Sequence, residues 1–265
     1  MDFNNKIILG RTGLEVGRIG IASSFGAPVK AYEEAFEMGC NYFTWGTFIK
    51  GGSKHMRQAI KNIVAKGKRD DLIIALYSYS HISFLIEPLL KKDLKSLGID
   101  YTDILILGYF QKPPGKRILS TINNLKERGL VRHFGVSSHN RNLFPVLEKE
   151  KMFDVFHLRY NAVNRGAEDD IFPFMNPKDR PGVVSYTATR WGQLLKQKNM
   201  PADIKAPSAS DCYRFVLSNS NVDVCMMGTK TDGQMRENLD ALKLGPLDEI
   251  ELFRLKNIGD YLHLK

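Results

Sequence analysis

The chain has 265 residues, 43% of them hydrophobic, 25% charged and 10% aromatic. Those proportions exclude disordered, collagen-like and coiled-coil classes, and the length suits one α/β barrel of about 250 residues at least as well as two domains. Lys and Arg outnumber Asp and Glu by 38 to 29, a net charge of +9 that suits anionic partners without bearing on the fold.

In chain order, Lys6–Leu9 and Val16–Arg18 flank Gly10-Arg11-Thr12-Gly13, which predicts a hairpin able to plug a barrel bottom. Strands are then expected at Arg18–Ala22, Cys40–Gly46, Leu72–Tyr79, Asp103–Tyr109, His133–Ser138, Val155–Asn161, Gly182–Thr187 and Val222–Gly228. Between them, amphipathic spacing predicts helices at Val29–Met38, Lys54–Lys66, Ser83–Leu97, Lys116–Arg128, Asn142–Lys151, Ser208–Leu217 and Thr231–Leu242. The tail Leu247–Lys265 reads as one more helix. Runs such as LIIAL and ILIL lack polar alternation, as strands covered on both faces of a parallel sheet should. Eight such units predict a single (β/α)8 barrel, because an open sheet of eight would leave edges to cover. No Pro/Ser-rich linker divides the chain, so residues 1–265 are expected to form one domain.

Cys40, Cys212 and Cys225 are far apart, with no CxxC pair and no zinc-like His spacing. That excludes a disulfide framework, points to a reducing compartment and gives no expectation of a metal. The N-terminus has no apolar segment of a signal peptide, and the stretch from Ile73 to Leu90 is interrupted by Tyr77, Ser78, Ser80, His81 and Glu87. A cytoplasmic protein without a membrane partner is expected. The basic stretches Lys61–Arg69 and Lys112–Arg117 lack an aromatic-interleaved groove, so nucleic acid is not expected as a partner either.

Reacting groups of such a barrel sit at the C-terminal ends of the strands. By period-2 alternation, Thr44, Tyr77, Gly108 and His157 should face the mouth. Gly228-Thr229-Lys230-Thr231 runs into a helix, and Thr231 with Gln234 forms a T-x-x-Q capping pattern. A helix start with cationic and hydroxyl groups beside it suits a phosphate; equally, it is what a well-capped surface helix with a solvated Lys looks like.

The segments LGRTGLEVGRIGIAS, EMGCNYF, RHFGVSS, YNAVNRGAEDDIFPF, GVVSYTATRWGQLL and VLSNSNVDVCMMGTKTDGQMRENLDAL, in this order, resemble the aldo-keto reductase family over nearly the whole chain. The resemblance implies a barrel that binds NADP(H) and reduces the carbonyl of a small-molecule substrate. It implies that Gly228, Thr229 and Lys230 meet the nucleotide phosphate, that Gln234 and Asn238 face the adenine, and that Tyr186 stacks on the nicotinamide. Ser137 and Ser138 fall where the family binds the carboxamide, with Ser138 in place of the usual Asn; His157 replaces a Gln there.

The family's Asp, Tyr, Lys and His catalytic positions align with Thr44, Ile49, Tyr77 and Gly108, and none of the four groups is kept. A one-residue slip would offer only Phe48 in place of Ile49. The ordinary mechanism needs a phenol to protonate the developing alkoxide, worth about 10²–10⁴ in rate. Tyr77 is the provisional replacement, with Lys50 as a cation to assist it, and His157 or a neighbouring His is the other candidate. Arg159 and Arg190 with Trp191 could hold a substrate carboxylate or phosphate. Three functions remain open: an oxidoreductase delivering hydride to a carbonyl or activated alkene, a silent dinucleotide- or metabolite-binding protein, and a non-redox barrel enzyme.

Overall fold

The β-branched and aromatic runs become eight parallel strands in the computed structural model, which describes residues 2–23, 25–46 and 54–264. An antiparallel hairpin, β1 (Ile7–Ile8) and β2 (Glu15–Val16), precedes them. The barrel strands are β3 (Ile19–Ala22), β4 (Tyr42–Trp45), β5 (Ile73–Ser78), β6 (Thr102–Gly108), β7 (Val131–Ser137), β8 (Val155–Arg159), β9 (Gly182–Tyr186) and β10 (Val224–Met227). They follow one another around the barrel in sequence order, and β10 closes it against β3. The helices are α1 (Val29–Glu37), α2 (Lys54–Ala65), α3 (Ser83–Leu97), α4 (Lys116–Glu127), α5 (Leu143–Lys149), α6 (Ala167–Asp170), α7 (Ala209–Leu217), α8 (Asp232–Leu244) and α9 (Glu249–His263).

Every expected strand and helix is present with ends within two residues of the sequence reading. Among the described α-helices only α6, a single turn between β8 and β9, has no counterpart in the sequence reading, because four residues carry no helical period. None of the described helices is long and apolar enough to cross a membrane.

Apolar side chains divide into two layers. The larger packs the outer strand faces against the helices, and the smaller, including Tyr42, Ile73, Ala75, Ile104, Ile106, Val155, Val184 and Val224, fills the barrel. The hairpin closes the bottom as its sequence suggested. Leu9 is fully buried within the barrel cluster, and a Cβ on Gly182 would lie 2.5 Å from its Cγ.

A repeated device pins the strand register at that end. The side-chain oxygens of Asn41, Asp103, Asp154 and Asp223 accept from the backbone N–H of Gly17, Ile74, Phe134 and Val183 respectively. Each acceptor stands at the start of an even-numbered barrel strand and reaches the strand before it. Arg180 also donates to both oxygens of Asp223 at 2.6 and 2.7 Å, so this buried carboxylate is paired, as a buried charge must be. With the bottom locked in this way, the opposite rim is left to the loops.

Candidate active site

Period-2 alternation puts Thr44, Tyr77, Gly108, His157 and Tyr186 on the strand faces shared with Tyr42, Ala75, Ile106, Val155 and Val184, which line the barrel. Thr44 is buried and offers a hydroxyl where the family resemblance called for a carboxylate. Phe48, Ile49 and Lys50 lie outside the described residues. At Gly108 the space for a side chain is already taken, since a Cβ there would lie 2.4 Å from the Tyr79 ring. Tyr79 stacks on Tyr77 at 5.4 Å and continues to Tyr109 at 5.1 Å, so phenols occupy the ground between the tetrad positions.

His157 lies beneath this aromatic wall, fully buried. Its Nδ1 is 2.7 Å from the Tyr77 hydroxyl and its Nε2 is 2.7 Å from that of Tyr42. Burial pushes the imidazole down to about 3, so the ring is neutral at physiological pH. Burial likewise raises the Tyr42 and Tyr77 phenols well above their ordinary value, with the neighbouring tyrosines adding to the effect at Tyr77. No cation among the described residues opposes that shift at Tyr77. A neutral ring carries a single N–H, which leaves Tyr77 as the candidate donor nearer the mouth. Both ring nitrogens are also engaged, so the expected carboxamide contact from His157 is not available.

The other histidines do not join it. His81 meets the Gly108 carbonyl at 3.1 Å and stacks on Phe110, whereas His139 stands at the rim. No group of three His, Cys, Asp or Glu side chains suited to a metal occurs among the described residues. At the rim, His139 Nδ1 lies 3.4 Å from the Tyr186 hydroxyl and 3.5 Å from an Arg159 nitrogen. Partial burial, then the Arg159 charge, lower the His139 pKa. Arg190, expected with Arg159 and Trp191 to hold a substrate anion, donates one N–H to the Leu262 carbonyl of α9.

The rim also stores backbone strain. Tyr109, Thr187, Arg190 and Trp191 have φ between 49° and 64°, a region L-residues avoid at a cost of about 1–3 kcal/mol each. All four belong to the loops after β6 and β9. Such clustering is a mark of sites where geometry matters more than stability.

The residues expected to meet a nucleotide lie on β7, β9 and β10, the loops that follow them, and the start of α8. Tyr186 approaches the side chain of Ser137, and its hydroxyl is 3.4 Å from the Ser138 carbonyl. The Ser138 hydroxyl donates to the Phe110 carbonyl at 2.6 Å and accepts from Asn140 N–H, so it is committed to loop structure. Ser137 and Tyr186 thus remain from the expected nicotinamide set.

Thr231 caps α8 by accepting from Gln234 N–H, but the Gln234 carboxamide returns to Lys230 N–H, one residue before the cap. Lys230 is exposed beside this helix start, and Thr229 is buried with its hydroxyl on the Met235 sulfur. Asn238 is buried, reaching only the Tyr213 hydroxyl at 3.5 Å. Gly228 faces Phe25, whose ring lies 2.1 Å from where a Cβ would sit. These residues fit the adenine and phosphate end of a dinucleotide, while Phe25 covers the glycine backbone next to it.

Sequence reasoning missed Tyr42, Tyr79 and Phe25. Tyr42 could have been found by stepping two residues back along the strand from Thr44. The other two act through contacts with glycines, which leave no periodic signal.

The family model described as the aldo/keto reductase family matches residues 6–212. Aldo-keto reductase family 1 member D1 of Rattus norvegicus is 26% identical over 126 residues, 38% of this chain and 39% of that protein. The chain thus spans well under half of that relative's length. Member C13 of Mus musculus is 26% identical over 253 residues, covering 77% and 76% of the two chains. The uncharacterized oxidoreductase YqkF of Bacillus subtilis is 20% identical over 295 residues, 94% of each. Among solved structures, the holo form of AKR11C1 from Bacillus halodurans superimposes with a TM-score of 0.80 at 20% identity over 96% of each chain, a likeness of fold. With the family model spanning most of a closed eight-stranded barrel, the chain belongs to the aldo/keto reductase family.

Proposed function

We propose that the protein is an NADP(H)-dependent oxidoreductase whose nucleotide corner follows the family while its proton-donating corner has been rebuilt. The carrying observation is the exposed Lys230 at the capped start of α8, on the same rim as Ser137 and Tyr186. Lys230 would pair with a 2′-phosphate, Gln234 and Asn238 would flank the adenine, and Tyr186 with Ser137 would hold the nicotinamide end. When bound, the cofactor supplies a hydride.

Tyr77 is the phenol nearest the old tetrad, and its raised pKa means that it keeps its proton. It polarises a substrate oxygen by hydrogen bonding rather than by complete transfer. This favours substrates with less need of protonation at the hydride step, an activated alkene or an already polarised carbonyl. Arg159 at the rim would receive an anionic substrate group. A cytoplasmic location is part of this reading, supported by three free, buried thiols.

A second reading, binding without turnover, is supported by Phe25 over Gly228 and by the absence of a phenol-lowering cation among the described residues near Tyr77.

Titration of NADPH and NADH against the purified protein tests the first point. NADPH is expected to bind more tightly, and Lys230→Ala to weaken NADPH about 10–100-fold while leaving NADH unchanged. Absence of NADPH binding overturns both readings. An aldehyde, ketone and enone panel then separates them: turnover of an enone supports the oxidoreductase, and no oxidation of NADPH with any substrate supports the silent binder. If Tyr77→Phe leaves that turnover unchanged, Tyr77 loses its assigned role.

A further inference from the structure

Three groups in the barrel share two hydrogen bonds, and counting their hydrogens determines which way each bond runs. Tyr42 and Tyr77 each bring one hydroxyl hydrogen, and a neutral imidazole brings one N–H and one lone pair. Among the described residues, His157 is the hydrogen-bond partner of both phenols, at 2.7 Å on each side. Two hydrogens enter the two bonds, so one phenol must keep a hydrogen with no partner among the described residues.

Two arrangements satisfy this count. In one, Tyr42 donates to Nε2, Nδ1–H donates to the Tyr77 oxygen, and the Tyr77 hydrogen is spare. In the other, Tyr77 donates to Nδ1, Nε2–H donates to the Tyr42 oxygen, and the Tyr42 hydrogen is spare. The surroundings separate them. Tyr42 is fully buried among Leu9, Val16, Ile73 and Val224, and among the described residues its hydroxyl has no hydrogen-bond partner besides His157. Tyr77 is only partly buried, two positions further along its strand than Ala75, and borders the mouth. A spare donor is costly in the first environment and harmless in the second, where water or a substrate oxygen can accept it.

We infer that His157 is held as the Nδ1–H tautomer, and that Tyr42 and His157 are positioning residues which turn the Tyr77 hydroxyl hydrogen toward the mouth. The Tyr77 oxygen accepts from the imidazole while its hydrogen points outward, and each bond polarises the next. Tyr77 thereby becomes a fixed hydrogen-bond donor at the position where the family places its lysine. The catalytic meaning of this donor rests on the proposed oxidoreductase reading, whereas the tautomer does not.

Nitrogen-15 NMR of the full chain labelled at histidine, without any ligand, provides the test. At pH 7 the His157 Nδ1 should give a protonated, pyrrole-type signal and Nε2 a bare, pyridine-type signal, in a ratio of about tenfold or more. The pattern should persist to pH 5, because burial keeps the ring neutral. Loss of the signals in His157→Gln assigns them. Should that variant fail to fold, Tyr42→Phe serves instead, shifting Nε2 much more than Nδ1. A protonated Nε2, or equal populations, overturns the inference. Failure of NADPH to bind leaves this result intact and counts only against the oxidoreductase reading.

Discussion

The two halves of the barrel mouth are built on opposite plans. The nucleotide corner is assembled from neighbours in sequence: Lys230, Thr231 and Gln234 are joined by bonds spanning three or four residues. The corner around His157 draws on residues 80 and 115 positions away. In the first, an exposed charge stands beside a helix cap. In the second, His157 and Tyr42 are withdrawn from water and bonded to one another, with Tyr77 partly buried above them. The difference teaches that one rim of a barrel can be set by bonds between sequence neighbours while the ground beneath it depends on contacts that only barrel closure makes.

The substitution expected to act most strongly on this contrast is His157→Leu. It strands the Tyr42 hydroxyl in an apolar cluster and removes both bonds, lowering unfolding stability by about 3 kcal/mol in urea titration. A loss below about 1 kcal/mol would show that the buried network does not hold the corner together.

Next comes Asp93 of α3, buried behind the same corner near Trp45 and Ser78. Burial pushes its carboxyl up to about 6, with the Trp45 indole pulling the other way. The folded state then binds the proton more tightly than the unfolded chain, whose pKa is near 4. Stability should therefore fall as pH rises from about 4 to about 6 and stay level above that. Asp93→Asn should restore about 2 kcal/mol at pH 7.5 and almost nothing at pH 4, a pattern that thermal or urea unfolding at both pH values would reveal.

Gly108→Ala should cost about 1–2 kcal/mol, because the added methyl meets the Tyr79 ring. Adding Tyr79→Ser should cancel most of that cost, and additive effects in the double-mutant cycle would show that the ring does not fill the space.

The smallest effect is expected at the nucleotide corner. Phe25→Ala uncovers Gly228 and should tighten NADPH several-fold, by less than about 1.4 kcal/mol. Weaker binding would instead make Phe25 part of the cofactor contact.

Much of the fold was legible before any coordinates. LIIAL and ILIL lack polar alternation because β5 and β6 are covered on both sides, and the flanking amphipathic stretches supply the cover. Thr44, Tyr77 and Gly108 stand at strand ends that the pattern itself located, where the family resemblance called for other groups. What surrounds them was hidden. Tyr42 reads as an ordinary strand aromatic, and nothing local marks it as a partner of a histidine in β8. The bond from Arg190 to α9 was hidden for the same reason, as its acceptor is a backbone carbonyl 72 residues away.

The sequence by itself determined the eight-unit barrel, the plugged bottom and the capped helix beside Lys230. Hydrophobic period, turn chemistry and helix capping act between near neighbours, and a linear reading can follow them. Only the tertiary structure decided that His157 is neutral and enclosed between two phenols, that Tyr79 fills the place above Gly108 and that Phe25 covers Gly228. Those outcomes depend on closure of the barrel, which brings distant side chains within hydrogen-bond and van der Waals reach and removes water from between them.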